Sequence, residues 1–277
     1  MKLICGLTAS AMLAAPAALA PGVISTAANE YNMTATADGR LRVFARSEAE
    51  FRNARVLMVQ GDGPPAPISF TDARYSDTDP HLSADGSELV FISTRPLPDR
   101  PAAQDLNVWR SSRRADGTWS PPTPVEGVNS AGPELGAERH GRTIRFSSVR
   151  RGGVGALDVY EFVDGAVRPL AAVNSAGSDS DYTEHPSGTV AVFWSNRPGG
   201  LGDGDLYVVT RRGDGWSAPV NLGPAVNSPA FDFTPQFSVD GRTLTFASTR
   251  EGGAGLADLY SVDVSSIPAL REALGSR

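Results

Sequence analysis

Cysteine and lysine are almost absent from this chain. The one cysteine is Cys5 and the one lysine is Lys2, both at the extreme N-terminus. A chain processed beyond that point has no cysteine and therefore no disulfide. No block of basic residues occurs and the formal net charge is −6, which argues against a nucleic-acid partner. Beyond the first twenty residues no apolar run approaches the length of a membrane span. There is no G-x-S-x-G elbow, which excludes the serine peptidase that often accompanies folds of the kind inferred below.

The chain does have turns. It carries 29 glycines and 21 prolines among 277 residues, a composition suited to short strands and hairpins. Residues 1–20, MKLICGLTASAMLAAPAALA, place one lysine before an apolar stretch that ends in Ala-Leu-Ala. This is the pattern of a secretory signal peptide cleaved near Ala20, and it predicts a periplasmic or secreted protein. Cys5 stands before the apolar region rather than after it, which argues against lipidation.

An internal repeat organises the rest. Five glycines are each followed five residues later by phenylalanine: Gly39/Phe44, Gly86/Phe91, Gly141/Phe146, Gly188/Phe193 and Gly241/Phe246. The phenylalanines are 47, 55, 47 and 53 residues apart, and each sits in an alternating run after a polar turn. A second apolar run, such as DVYEF (158–162), DLYVV (205–209) or DLYSV (258–262), follows 11–16 residues on. Three units then close on Val-Asn-Ser. Each unit offers four short strands, which repeated radially make an all-β propeller of four-stranded antiparallel blades. The stretch from Ala20 to Phe44 and the stretch after Phe246 together make one further interval of 55 residues, so five units close the circle. Six blades are the alternative and would need a degenerate unit. The predicted domain is 21–277, with repeats at about 27–73, 74–128, 129–173, 174–226 and 227–264 and a short helical tail at 265–277. Residues 21–26 are expected to pair as the last strand of the fifth blade and so close the ring.

The units SADGSELVFISTR (83–95), SVDGRTLTFASTREGGAGLADLY (238–260) and GDGWSAPVNLGPAVNS (213–228) resemble the TolB-type, WD-like propeller repeats of bacterial envelope proteins. The resemblance covers about 30–263. It implies the propeller and a cell-envelope setting. TolB itself has an additional N-terminal domain to which no segment here corresponds, so the lipoprotein partner known for that family is not implied.

Two sets of residues stand out as candidates. In three units an arginine precedes an aspartate by eight residues across a glycine hairpin: Arg150 and Asp158, Arg197 and Asp205, Arg250 and Asp258. A guanidinium–carboxylate fork across the loop would make each pair a structural clasp. The second set lies at the entry to each first strand, which lines the channel of a propeller: Glu30, Asp77, Asp79, Glu134, Asp179, Asp181 and Asp232. As a ring these residues form an acidic rim that either caps turns or receives a basic peptide or a Ca²⁺ ion. No other cofactor is called for. His81, His140 and His185 stand in different registers relative to their glycines, which predicts no metal ring. Trp119 and Trp216 are expected as wedges between blades, and Trp109 and Trp194 as core. The overall expectation is an exported, non-catalytic binding or scaffold protein, its partner an envelope protein or peptide docking at the channel mouth and a glycan second. The rival is a carbohydrate-active propeller that uses two channel carboxylates as acid and base.

Overall fold

A computed structural model describes residues 16–275. Residues 1–15, with Lys2, Cys5 and most of the predicted signal peptide, lie outside the described residues. Five small antiparallel sheets stand in a ring as a five-bladed β-propeller. The innermost strands are Asn29–Ala35, Asp77–Leu82, Glu134–His140, Asp179–Glu184 and Asp232–Phe237. The second strands carry the repeat phenylalanines, and Phe44, Phe91, Phe146, Phe193 and Phe246 are all fully buried. Apolar clusters join each blade to the next. Trp119, for example, packs with Leu41 and Val43 of the first blade and Phe91 of the second. Trp216 packs at the edge of a cluster that spans the third and fourth blades.

Ring closure uses a different segment from the one expected. Ala17–Ala18, rather than 21–26, pairs antiparallel with Asp258–Asp263, aligning Ala17 with Ser261 and Ala18 with Tyr260. The amide of Leu19 extends this contact to the carbonyl of Leu259. Residues 21–26 instead form the turn into the first blade, where Ile24 is buried against Phe44 and Leu259. The fourth blade also departs from four strands, because Gly215–Trp216 and Val220–Asn221 both pair with its third strand. The C-terminal helix Pro268–Gly275 packs Leu270 into the cluster shared by the fourth and fifth blades.

Each innermost strand breaks its pairing once, by a bulge at the same place. Within the five bulges stand Asn32, Asp79, Gly136, Asp181 and Thr234, all left-handed with φ between 46° and 53°. Bulges re-aim side chains, and here they turn one residue per blade into the channel. Bulge amides reach neighbouring blades: Gly136 donates to Asp79 Oδ2 at 2.9 Å and Asn32 to Thr234 Oγ1 at 3.2 Å.

Candidate functional site

All seven members of the predicted rim are buried, and five of them are paired with arginine. Glu30, Asp77, Glu134, Asp179 and Asp232 are buried at the first position or two of their strands, each held by an arginine from the end of the second strand. Arg46 meets Glu30 at 2.7 Å, Arg150 meets Glu134 at 3.0 Å, Arg197 meets Asp179 at 2.7 Å and Arg250 meets Asp232 at 2.6 Å. Arg95 pairs with Asp77 in the same way. Each guanidinium also lies over aromatic rings of its own blade. Arg250 stands 5.1 Å from the centroid of Phe246 and 4.7 Å from that of Tyr260, and Arg197 is placed alike on Phe193 and Tyr207. This explains why phenylalanine, arginine and tyrosine recur together: a buried guanidinium keeps its charge by a carboxylate on one side and π faces on the other.

The expected clasps Arg150–Asp158, Arg197–Asp205 and Arg250–Asp258 are therefore corrected. The aspartates accept from backbone amides of their own hairpins: Asp158 from Gly155, Asp205 from Leu201 and Gly202, Asp258 from Ala254 and Gly255. A loop whose amides converge on one carboxylate needs no arginine. The glycines at 153, 200 and 253 are there because a Cβ would collide with these carboxylates.

Asp79 and Asp181 remain. Both sit in the bulges, both abut Gly136, and both face the upper mouth of the channel, a cavity of about 260 Å³. Burial pushes the Asp181 carboxyl up to about 8, with the charge of Asp79 adding to it. Burial likewise raises Asp79, against the hydrogen bonds it accepts from the Gly136 amide and the Thr78 hydroxyl. Both carboxyls are thereby pushed toward their neutral forms.

The wall above them is aromatic, and it was not anticipated beyond Trp194, which was expected in the core. Tyr31, Phe51, Trp194, Phe231 and Phe233 line the cavity together with Leu106, Leu135 and Leu157. Phe51 comes from the connection 48–54, which stands where the third, fourth and fifth blades have a glycine hairpin. Glu50, Phe51 and Asn53 in that connection all adopt left-handed φ of 52–58° without being glycine. Such backbone costs on the order of 1–3 kcal/mol per residue, and here it holds Phe51 over the mouth, 5.4 Å from Tyr31 and 5.7 Å from Phe233 between ring centroids. The clue in the sequence was the loss of the glycines at this hairpin, a loss shared only by the second blade's connection at 94–106.

The face around this mouth is the apolar one. Six of the eight large exposed hydrophobic side chains among the described residues lie in its loops: Val23, Phe51, Val149, Val154, Leu201 and Leu256. The opposite mouth is polar and larger, about 630 Å³. There the structure brings together two histidines that their registers kept apart. His140 Nε2 lies 2.6 Å and His81 Nδ1 3.8 Å from Glu138 Oε1. Burial and the neighbouring His140 hold His81 low. Glu138 outweighs burial in raising His140. His185 stands aside, its Nε2 against the Gly241 carbonyl at 3.1 Å. Among the described residues no group of three or more His, Cys, Asp or Glu side chains is placed to hold a metal ion, and no helix is long and apolar enough to cross a membrane.

Fold and site together define a five-bladed propeller with one apolar, acid-floored mouth. No protein-family model matches the chain, and no curated protein matches it. Solved structures do resemble it. A putative TolB from Agrobacterium tumefaciens is 15% identical, with 86% of this chain and 78% of that one covered and a TM-score of 0.56. TolB from Acinetobacter baumannii is 16% identical with a TM-score of 0.52. The match covers 83% of this chain but spans only 53% of that one, about half its length. A thermostable family-43 glycoside hydrolase is 8% identical with a TM-score of 0.57, over 88% of this chain and 92% of that one. At these identities the likeness concerns the fold.

Proposed function

We propose that this is an exported, non-catalytic binding propeller of the cell envelope that receives an envelope protein or peptide on its upper face. The observation that carries this reading is the upper mouth itself: an aromatic cavity floored by Asp79 and Asp181 and ringed by exposed apolar loops. Contiguous exposed apolar surface around a pocket marks an interaction site. Arginine-clasped carboxylates behind it hold the ring rigid and are spent on structure. The TolB-like fold and the signal-type leader support the envelope setting.

The test is capture from a periplasmic extract by the wild-type chain and by a Phe51→Asp/Leu106→Asp variant, with circular dichroism to establish that the variant is folded. Wild type should enrich a partner that the variant loses. Equal enrichment by both would overturn the site.

A carbohydrate-active hydrolase is the second reading, favoured by one observation: Asp181 is a channel carboxyl with a raised pKa beside a second carboxyl, as an acid–base pair requires. Turnover of an aryl glycoside that is abolished by Asp79→Asn would replace the first reading with this one. The apolar lining, poor in hydrogen-bonding groups for sugar hydroxyls, speaks against it.

A further inference from the structure

We infer that the upper mouth is a cage for a methylated ammonium group. This rests on the reading of that mouth as a ligand site and adds the chemistry of what enters it.

Around the cavity Phe51 stands nearly at right angles to two rings, at 84° to Tyr31 and 88° to Phe233, which are tilted 37° to each other and 6.1 Å apart. Trp194 closes the side at 84° to Phe231, which stacks on Phe233 at 4.5 Å. Aromatic faces are negative, so walls set at right angles favour a compact cation. Beneath them lie Asp79 and Asp181, and no basic side chain lines the cavity, so its floor favours a cation over an anion. The cavity of about 260 Å³ has room for a trimethylammonium head.

The floor also distinguishes kinds of ammonium. Asp79 Oδ1 already accepts from the Thr78 hydroxyl at 2.9 Å and its Oδ2 from the Gly136 amide at 2.9 Å. The Tyr31 hydroxyl is tied to Thr78 Oγ1 at 2.9 Å, and Asp181 receives the Thr234 amide and the Ser180 and Trp194 side chains. A primary ammonium brings three N–H donors and a strong hydration shell that aromatic and aliphatic walls do not replace. A methylated ammonium needs only charge and π faces. The strained connection that suspends Phe51 is accounted for as well, since without it the cage has one wall fewer.

The experiment is calorimetric titration of the full chain with choline, with its neutral carbon isostere 3,3-dimethyl-1-butanol, and with its primary-amine counterpart ethanolamine. Choline should bind about tenfold or more tighter than either, and Phe51→Ala should weaken it about tenfold, as expected for a desolvated cation–π contact. Phe51 is half exposed on a loop, so that variant remains folded and keeps the test decisive. Competition by a trimethyl-lysine peptide would place the cation on a protein, and competition by phosphatidylcholine vesicles would place it on a lipid. Either supports the cage. Equal binding of the isostere, or tighter binding of ethanolamine, overturns it. Choline that fails to bind while Phe51→Asp/Leu106→Asp still abolishes partner capture would sink the cage and leave the binding mouth standing. Capture unaffected by that variant would sink the mouth itself.

Discussion

Arg250 donates to Asp232 at 2.6 Å, 18 residues upstream, and leaves Asp258 on its own hairpin to the amides of Ala254 and Gly255. Asp232 is fully buried, so removing the guanidinium strands a charge. Arg250→Met should cost about 3–5 kcal/mol of stability, whereas Asp258→Asn should cost about 1–2 kcal/mol through its hairpin hydrogen bonds. A double-mutant cycle by urea denaturation separates the two arrangements. Strong coupling between Arg250 and Asp232 with little between Arg250 and Asp258 is expected, and the reverse would refute the assignment.

Chain length at the N-terminus decides whether the fifth blade is complete. A chain that begins at Pro16 keeps the pairing of Ala17 and Ala18 and the hydrogen bond from Leu19. A chain that begins at Pro21, as cleavage after Ala20 would leave it, loses all of these. At about 1 kcal/mol per hydrogen bond and about 2–4 °C per kcal/mol in a domain of this size, the shorter chain should melt roughly 5–10 °C lower. Equal melting temperatures by scanning calorimetry would show that this strand contributes nothing to closure.

The raised Asp181 carboxyl makes a signed pH prediction. In the folded chain it titrates at about 8 against an ordinary aspartate value of 3.8. Between those values the folded state holds a proton that the unfolded state has released. Stability should therefore fall as pH rises from about 4 to about 8, with a slope approaching 1.4 kcal/mol per pH unit for one proton. Asp181→Asn should flatten this decline and be more stable than wild type at pH 8. Parallel profiles for the two proteins, from denaturation midpoints at pH 5 to 8, would show that Asp181 is ionised throughout.

Gly136 is the one glycine in the ring of bulges. Its φ is +52°, and a Cβ there would lie 2.5 Å from Asp181 Oδ1. Gly188 also has positive φ, +68°, but its Cβ would meet nothing closer than 4.0 Å. Gly136→Ala should therefore cost more than the ~1 kcal/mol expected of Gly188→Ala for backbone strain alone, and it should shift the Asp181 titration. Equal costs and an unmoved titration would remove Gly136 from the site.

The fold was legible because its repeat is carried by buried residues at fixed intervals. Glycine turns and Phe44, Phe91, Phe146, Phe193 and Phe246 announce blade number without reference to any partner. The arginine pairing was misread because proximity along the chain favoured Asp158, Asp205 and Asp258, eight residues away. The true partners stand a constant distance upstream, 16 residues where the acid is glutamate and 18 where it is aspartate. The channel position of Asp79 and Asp181 was legible, but their separation from the clasped acids was not. It depends on a bulge, which shifts side-chain facing by one residue and leaves no fixed residue type behind: Asn32, Gly136 and Thr234 occupy the same place. The aromatic wall was hidden for a related reason, because Tyr31, Phe51, Trp194 and Phe233 come from three blades and converge only when the ring closes.

That closure has a kinetic consequence. Ala17 and Ser261 are the first and nearly the last residues of the ring, yet they are strand neighbours. Contacts of such long sequence separation form late, because the intervening chain must be ordered before they are rewarded. In a chain that keeps residues 17–19 and emerges N-terminus first, these residues wait unpaired until the fifth blade has appeared. Throughout that interval the third strand of that blade offers an open edge, able to accept a strand from a second copy in place of its own.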